Sequence, residues 1–348
     1  MHEPALRAAA FGSDPLPDPA ALRAASGREA SSRERLLAAI VLGAQGRYAA
    51  AAALLERLRR DSDPVMASLA ASTLGAHRRQ LGGHRQARAL DGEAFAKAAT
   101  LGPGPGLGPG DAALEAGPGR DGRVGARAGT PGPGPGPGGE PPASAPTPEP
   151  GPGDSARAKA AAAPPDPDGL DAAGARADAL LGLAADNLAL GRLSAARRLA
   201  ARAADQHAGW RARVRGGWVG AEIELAAGHG AAAVPHAERA FETAVARGAR
   251  RHAVKSGIVL AVAVRAAGLP DHREISDGLV GNALATAEEC ELLSLLWPAA
   301  LVAADLRPGH AEEYRFRVAQ VLHAVLRSAD PCGRRIAGES PWVPDPGG

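Results

Sequence analysis

The sequence predicts an all-α protein made of antiparallel helix pairs, interrupted by one long disordered segment. Three observations carry this reading. Apolar residues recur at helical spacing through residues 33–99 and 172–328, which gathers them on one side of each helix. Glycines recur at turn positions: Gly46 and Gly82 are 36 apart, Gly191 and Gly228 are 37 apart, and Gly228 and Gly268 are 40 apart. Between the two helical stretches, half of residues 101–170 are Gly or Pro. No stretch alternates with period two for long enough to make a strand.

In chain order, residues 1–31 read as a largely disordered N-terminal arm. Residues 32–100 hold two helix pairs. The first is 35–43 and 49–60, turned at Gly46-Arg47-Tyr48 and stopped by Pro64; the second is 65–81 and 84–99, turned at Gly82-Gly83. Residues 101–171 form the insertion. Proline removes a donor, glycine has most entropy to lose, and almost nothing apolar is present to offset that loss. Gly and Pro alternate there with period two, which excludes the every-third-residue glycine of collagen. Residues 172–330 supply three further pairs and capping helices: 175–190 with 194–207, 210–227 with 231–246, and a pair opened by 250–267 and turned at Gly268. Trp297-Pro298 kinks or divides the following apolar helix. The cap at 314–327 places Val318, Val321, Leu322 and Val325 on one face. Residues 331–348 read as an extended tail, in which Trp342 either docks on the cap or offers a short linear motif. Gly82 and Gly191 are 109 apart, which leaves 39 once the 70-residue Gly/Pro stretch is set aside. That remainder matches the repeat and favours one array with an insertion over two domains.

The small and large residues around these turns resemble the tetratricopeptide repeat family, over about two thirds of the chain. Gly46-Arg47-Tyr48 with Ala51, Leu55 and Pro64 carries the likeness in the first copy. Leu74-Gly75 with Gly82, Ala87 and Ala94 carries it in the second. Gly191-Arg192-Leu193 with Ala196, Ala200 and Ala203 follows, then Gly228 with Ala233, Ala237 and Ala240. Asp91 departs from the pattern, standing where a large apolar residue is usual, and the spacing exceeds the family's 34 residues. The resemblance implies a TPR-like α-solenoid whose first helices line a concave binding face.

Composition narrows the function. Aromatic residues make up 3% of the chain and the net charge is +2, too little to make nucleic acid a direct partner. Lysine occurs only at 97, 159 and 255, against abundant arginine, a bias that suggests a high-GC bacterial genome. Cys290 and Cys332 read as reduced thiols, and no closely spaced Cys/His set suggests zinc. Residues 1–19 lack the apolar stretch of a signal peptide, and no apolar run spans a membrane; a cytoplasmic location is expected. No phosphate loop, nucleophile elbow or metal motif is present, so no catalytic residue, metal or cofactor is expected. Arg250, Arg251, His252 and Lys255 form the densest basic cluster of the helical part, a candidate site for a carboxylate or phosphate of a partner. The sequence therefore points to a non-catalytic scaffold for a protein or peptide. The alternative is a regulatory or sensor module that acts on transcription through a partner, since no DNA-binding helix-turn-helix is present.

Overall fold

The structure, a computed structural model, describes residues 2–14, 16, 18–101, 165–206, 209–268 and 270–344. Most of the Gly/Pro-rich segment expected to be disordered lies outside the described residues. The described residues form fifteen α-helices and no strand, and these helices belong to one compact unit. Two short helices, α1 (Glu3–Phe11) and α2 (Pro19–Ala25), come first. Six pairs follow: α3 (Ser32–Ala44) with α4 (Tyr48–Leu58), α5 (Pro64–Gln80) with α6 (His84–Ala99), α7 (Ala172–Ala189) with α8 (Leu193–Ala204), α9 (Trp210–Ala226) with α10 (Gly230–Ala246), α11 (Arg250–Ala267) with α12 (His272–Glu289), and α13 (Leu293–Leu306) with α14 (Ala311–Arg327). A short α15 (Pro331–Glu339) closes the array.

The turns repeat one device. Gly46, Gly82, Gly191 and Gly228 all sit at φ between 74° and 78°, a left-handed conformation that glycine adopts without a Cβ clash. At each, the next amide donates back five residues: Arg47 to the Leu42 carbonyl at 2.9 Å, Gly83 to Arg78 at 2.9 Å, Arg192 to Asn187 at 2.8 Å and His229 to Glu224 at 2.9 Å. This Schellman closure satisfies carbonyls that the helix end would otherwise orphan. The same closure recurs between pairs at Gly248 and, without glycine, at Glu291 (φ 51°), where Leu292 donates to Ala287 at 2.8 Å.

Two expectations are corrected and one pair of alternatives is narrowed. Residues 1–31 are not a loose arm: α1 and α2 form there, with Leu6, Phe11 and Leu22 buried. Helices this short show too few turns for their periodicity to stand out. The tail is not wholly extended, because Asp330 accepts from the Gly333 amide at 3.0 Å and Pro331 takes the first helical position, which together start α15. Pro298 does not divide its helix, since α13 runs through it. In the same way, Pro64 does more than stop α4: it occupies the first turn of α5 behind an Asp63 cap.

α3 is buried on every side from Leu36 to Ala44, as a helix apolar all round must be. It contacts α1, α2, α4, α5 and α13. Early and late helices thus meet directly. The Ala49 amide donates to the Ser328 carbonyl at 2.8 Å, the Arg250 amide to Gly12 at 3.1 Å, and Arg78 to Asp330 at 2.7 Å. The Ser340 hydroxyl reaches the Gly82 carbonyl at 3.4 Å, so the tail docks on the α5–α6 turn. α6 packs on α7, and Ala94 and Phe95 share a core with Leu180, Leu183 and Leu199. The helices before residue 101 and after residue 165 therefore belong to one packed stack.

Candidate functional site

The four residues of the basic cluster do not present one surface. Arg250 is exposed and donates to Glu289 at 3.1 Å and to the buried Cys290 sulfur at 3.5 Å. Lys255 is half-buried, donates to Glu222 at 3.2 Å and lies over the Trp218 ring. His252 is buried among Trp210, Trp218 and Phe11, with ring centres 4.9, 5.7 and 6.3 Å away, and its Nδ1 has no hydrogen-bond partner. Arg251, one position before His252 on α11, lies about 100° away around the helix.

The groups around Arg251 come from five elements. α9 supplies Arg211 and Arg215, which at i and i+4 share a face and converge on Asp178 of α7. Arg213, between them, is exposed. Arg211 also donates to the Asp168 carbonyl at 2.7 Å, while the Trp210 indole donates to the Asp168 carboxylate at 3.1 Å. α4 contributes the fully buried Tyr48, whose hydroxyl donates to Gln80 at 2.7 Å, and α5 contributes the buried His77 beside it, with ring centres 5.3 Å apart. Arg251 is half-buried and has no carboxylate partner or hydrogen-bond acceptor among the described residues. Lost hydration, with Arg211 and Arg215 adding repulsion, depresses its pKa to about 10. Burial and the same Arg251 charge push the His77 imidazole down to about 3 and hold His252 well below its ordinary value. Tyr48, His77 and Arg251 were out of reach of sequence reasoning as a group; the i, i+4 pair Arg211 and Arg215 was the available signal.

A second polar cluster bridges the two halves of the stack. Arg79 on α5 donates to Asp186 on α7 at 2.7 Å and to Asp91 on α6, both carboxylates being fully buried. Gly182 leaves room for the Asp91 carboxylate, which would sit about where a Cβ would stand. The departure of Asp91 from an apolar pattern is thereby explained: it belongs to an ion network.

On another side of the stack, a cleft of about 650 Å³ crosses α8, α9 and α10. Ala200, Ala201, Ala204 and Gly216 line it with small apolar surface, and the exposed Arg213, Arg239 and Glu242 rim it. Among the described residues no group of His, Cys, Asp and Glu is arranged to hold a metal ion, and no helix is long and apolar enough to cross a membrane. No protein-family model matches the chain, nor does any protein of curated function.

Proposed function

We propose that the chain is a divergent tetratricopeptide-like scaffold, non-catalytic, that holds a segment of a partner protein in the cleft across α8, α9 and α10. The cleft is the observation that carries this reading. Its volume lies in the range of binding pockets, and its alanine and glycine lining lets a partner backbone approach closely, as a helix laid in a groove requires. The repeated helix pair with a left-handed glycine turn supports the repeat architecture. α3 is enclosed by the chain itself, whereas the cleft is open and draws most of its lining from two second helices, α8 and α10, and one first helix, α9.

Ala201 is exposed in the cleft and its side chain holds nothing in place, so Ala201→Trp fills the space without disturbing the fold. Partners retained from a lysate of the native host by the wild type and by Arg198→Trp, an exposed position of the same helix outside the cleft, should be lost by Ala201→Trp. Recovery of the same partners by all three baits would refute the cleft as the binding surface.

A further inference from the structure

We propose that the pocket between the α11–α12 turn and the α13–α14 turn binds a small organic phosphate, whose phosphate group is held by Arg265 and Arg273. The pocket has a volume of about 740 Å³, within the range of small-molecule sites. It shares no lining residue with the cleft across α8, α9 and α10. Three guanidinium groups line it, those of Arg265, Arg273 and Arg307, against two carboxylates, Asp277 and Glu313. Arg307 is fully engaged. Its Nε donates to the Asp277 carboxylate at 3.3 Å, one Nη to the Asp277 carbonyl at 2.5 Å and the other to the Tyr314 hydroxyl at 2.6 Å. Gly281, one turn beyond Asp277 on α12, lets that guanidinium lie close, since a Cβ there would stand 3.3 Å from it.

The use of the carboxylates decides which arginines remain. Arg273 and Asp277 are i and i+4 on α12, a spacing at which such residues pair, yet Asp277 is taken by Arg307. Glu313 stands on the rim, 80% exposed, at 3.6 Å from His310. Arg265, in the last turn of α11, has no acid three or four positions away in either direction. Among the described residues, the Arg265 and Arg273 guanidinium groups have neither an ion pair nor a hydrogen-bond acceptor. Unpaired arginines are ordinary on open surfaces; these two share one pocket whose nearest acid is already spent. Arg265 is half-buried and Arg273 exposed, so both meet a ligand that enters from solvent. Two unmatched forks call for a ligand with two charges and at least three oxygens. A phosphate monoester supplies both, with a charge of about −1.5 to −2 at neutral pH. A carboxylate brings one charge and two oxygens, enough for a single fork. Leu306, Pro308 and the Tyr314 ring form the rest of the wall, apolar surface that only an organic body would cover.

The test is calorimetric titration of the full chain with phenyl phosphate, inorganic phosphate and benzoate at equal ionic strength. Phenyl phosphate should bind with a Kd below about 1 mM, inorganic phosphate roughly tenfold more weakly and benzoate more weakly still. Arg265→Gln and Arg273→Gln should each weaken phenyl phosphate by about tenfold or more. Both should melt at the wild-type temperature, because neither side chain holds another part of the fold. Arg213→Gln removes the same charge from the rim of the cleft and should bind phenyl phosphate as the wild type does. Equal affinity in the wild type and in a variant carrying both Arg265→Gln and Arg273→Gln would mean an adventitious ion only and overturn the site. An equal loss in Arg213→Gln, or no binding of either phosphate probe up to about 10 mM, would overturn it as well. Benzoate binding as tightly as phenyl phosphate would overturn the choice of phosphate, and inorganic phosphate doing so would overturn the organic body. Ala201→Trp should keep full phenyl phosphate binding, so the fate of the cleft and that of this pocket are read separately.

Discussion

At Asp91 two carboxyl groups meet a single guanidinium, and burial decides how the charge is shared. Burial drives the Asp91 carboxyl well above the usual carboxylate range despite Arg79, whereas Asp186, with His84 and Arg79 against it, is held low against the same penalty. The cost of burial thus falls on Asp91, while Asp186 keeps the stronger hold on the shared guanidinium. Histidines make the pH dependence. His77 and His252 fold with pKa values far below that of an unfolded histidine, so below about pH 6.5 the unfolded chain binds more protons than the native one. Stability is complete above that value and falls with pH, by about 1.4 kcal/mol per unit for each histidine, until His77 titrates near 3. His77→Leu should reduce the pH slope of stability, read by urea denaturation between about pH 6 and pH 5, by up to about 1.4 kcal/mol per unit relative to the wild type. An unchanged slope in the variant would mean that the imidazole is not buried neutral.

At the scale of the element, the turns are the most local feature of the fold and the most legible in the sequence. Gly46, Gly82, Gly191 and Gly228 were recognisable because a left-handed residue is needed wherever a helix reverses through a Schellman closure, and glycine meets that need cheaply. Glu291 meets it at a cost. Glu291→Gly should leave stability unchanged or raise it by up to about 1 kcal/mol, while Gly191→Ala, whose Cβ would meet nothing within 4 Å, should cost about 1–2 kcal/mol through φ alone. Denaturation midpoints of the two variants should move in opposite directions or, for Glu291→Gly, not at all; a loss at Glu291 would show that its side chain matters more than its backbone. Short helices were the least legible. α1, α2 and α15 owe their existence to what they pack against, since isolated helices of this length are marginal in water.

For the molecule as a whole, the decisive contact is that of α5 and α6 with α7. Arg79–Asp186 and the shared core around Phe95 and Leu180 join the stretches on either side of the Gly/Pro-rich segment. Two separately expressed chains, residues 1–101 and 165–348, should therefore associate when mixed and co-elute, and Arg79→Met should weaken the complex by about 3 kcal/mol, the usual cost of stranding buried charge. Separate elution of two folded pieces would argue for independent domains.

Composition and periodicity by themselves determined that the chain is helical, that its helices come in pairs, where those pairs turn, and that residues 101–171 differ from the rest. Each of these is written in neighbours one to seven positions apart, where backbone sterics and the helical period act. The tertiary structure alone decided that α3 fills the interior, that Asp91 is an ion-network residue, and that Arg250, Arg251, His252 and Lys255 face four different surroundings. It also brought Tyr48, His77, Arg211 and Arg251 together from four helices. The physical reason is distance along the chain: which helix faces meet across a stack depends on how successive pairs twist, and no local pattern of residues records that angle.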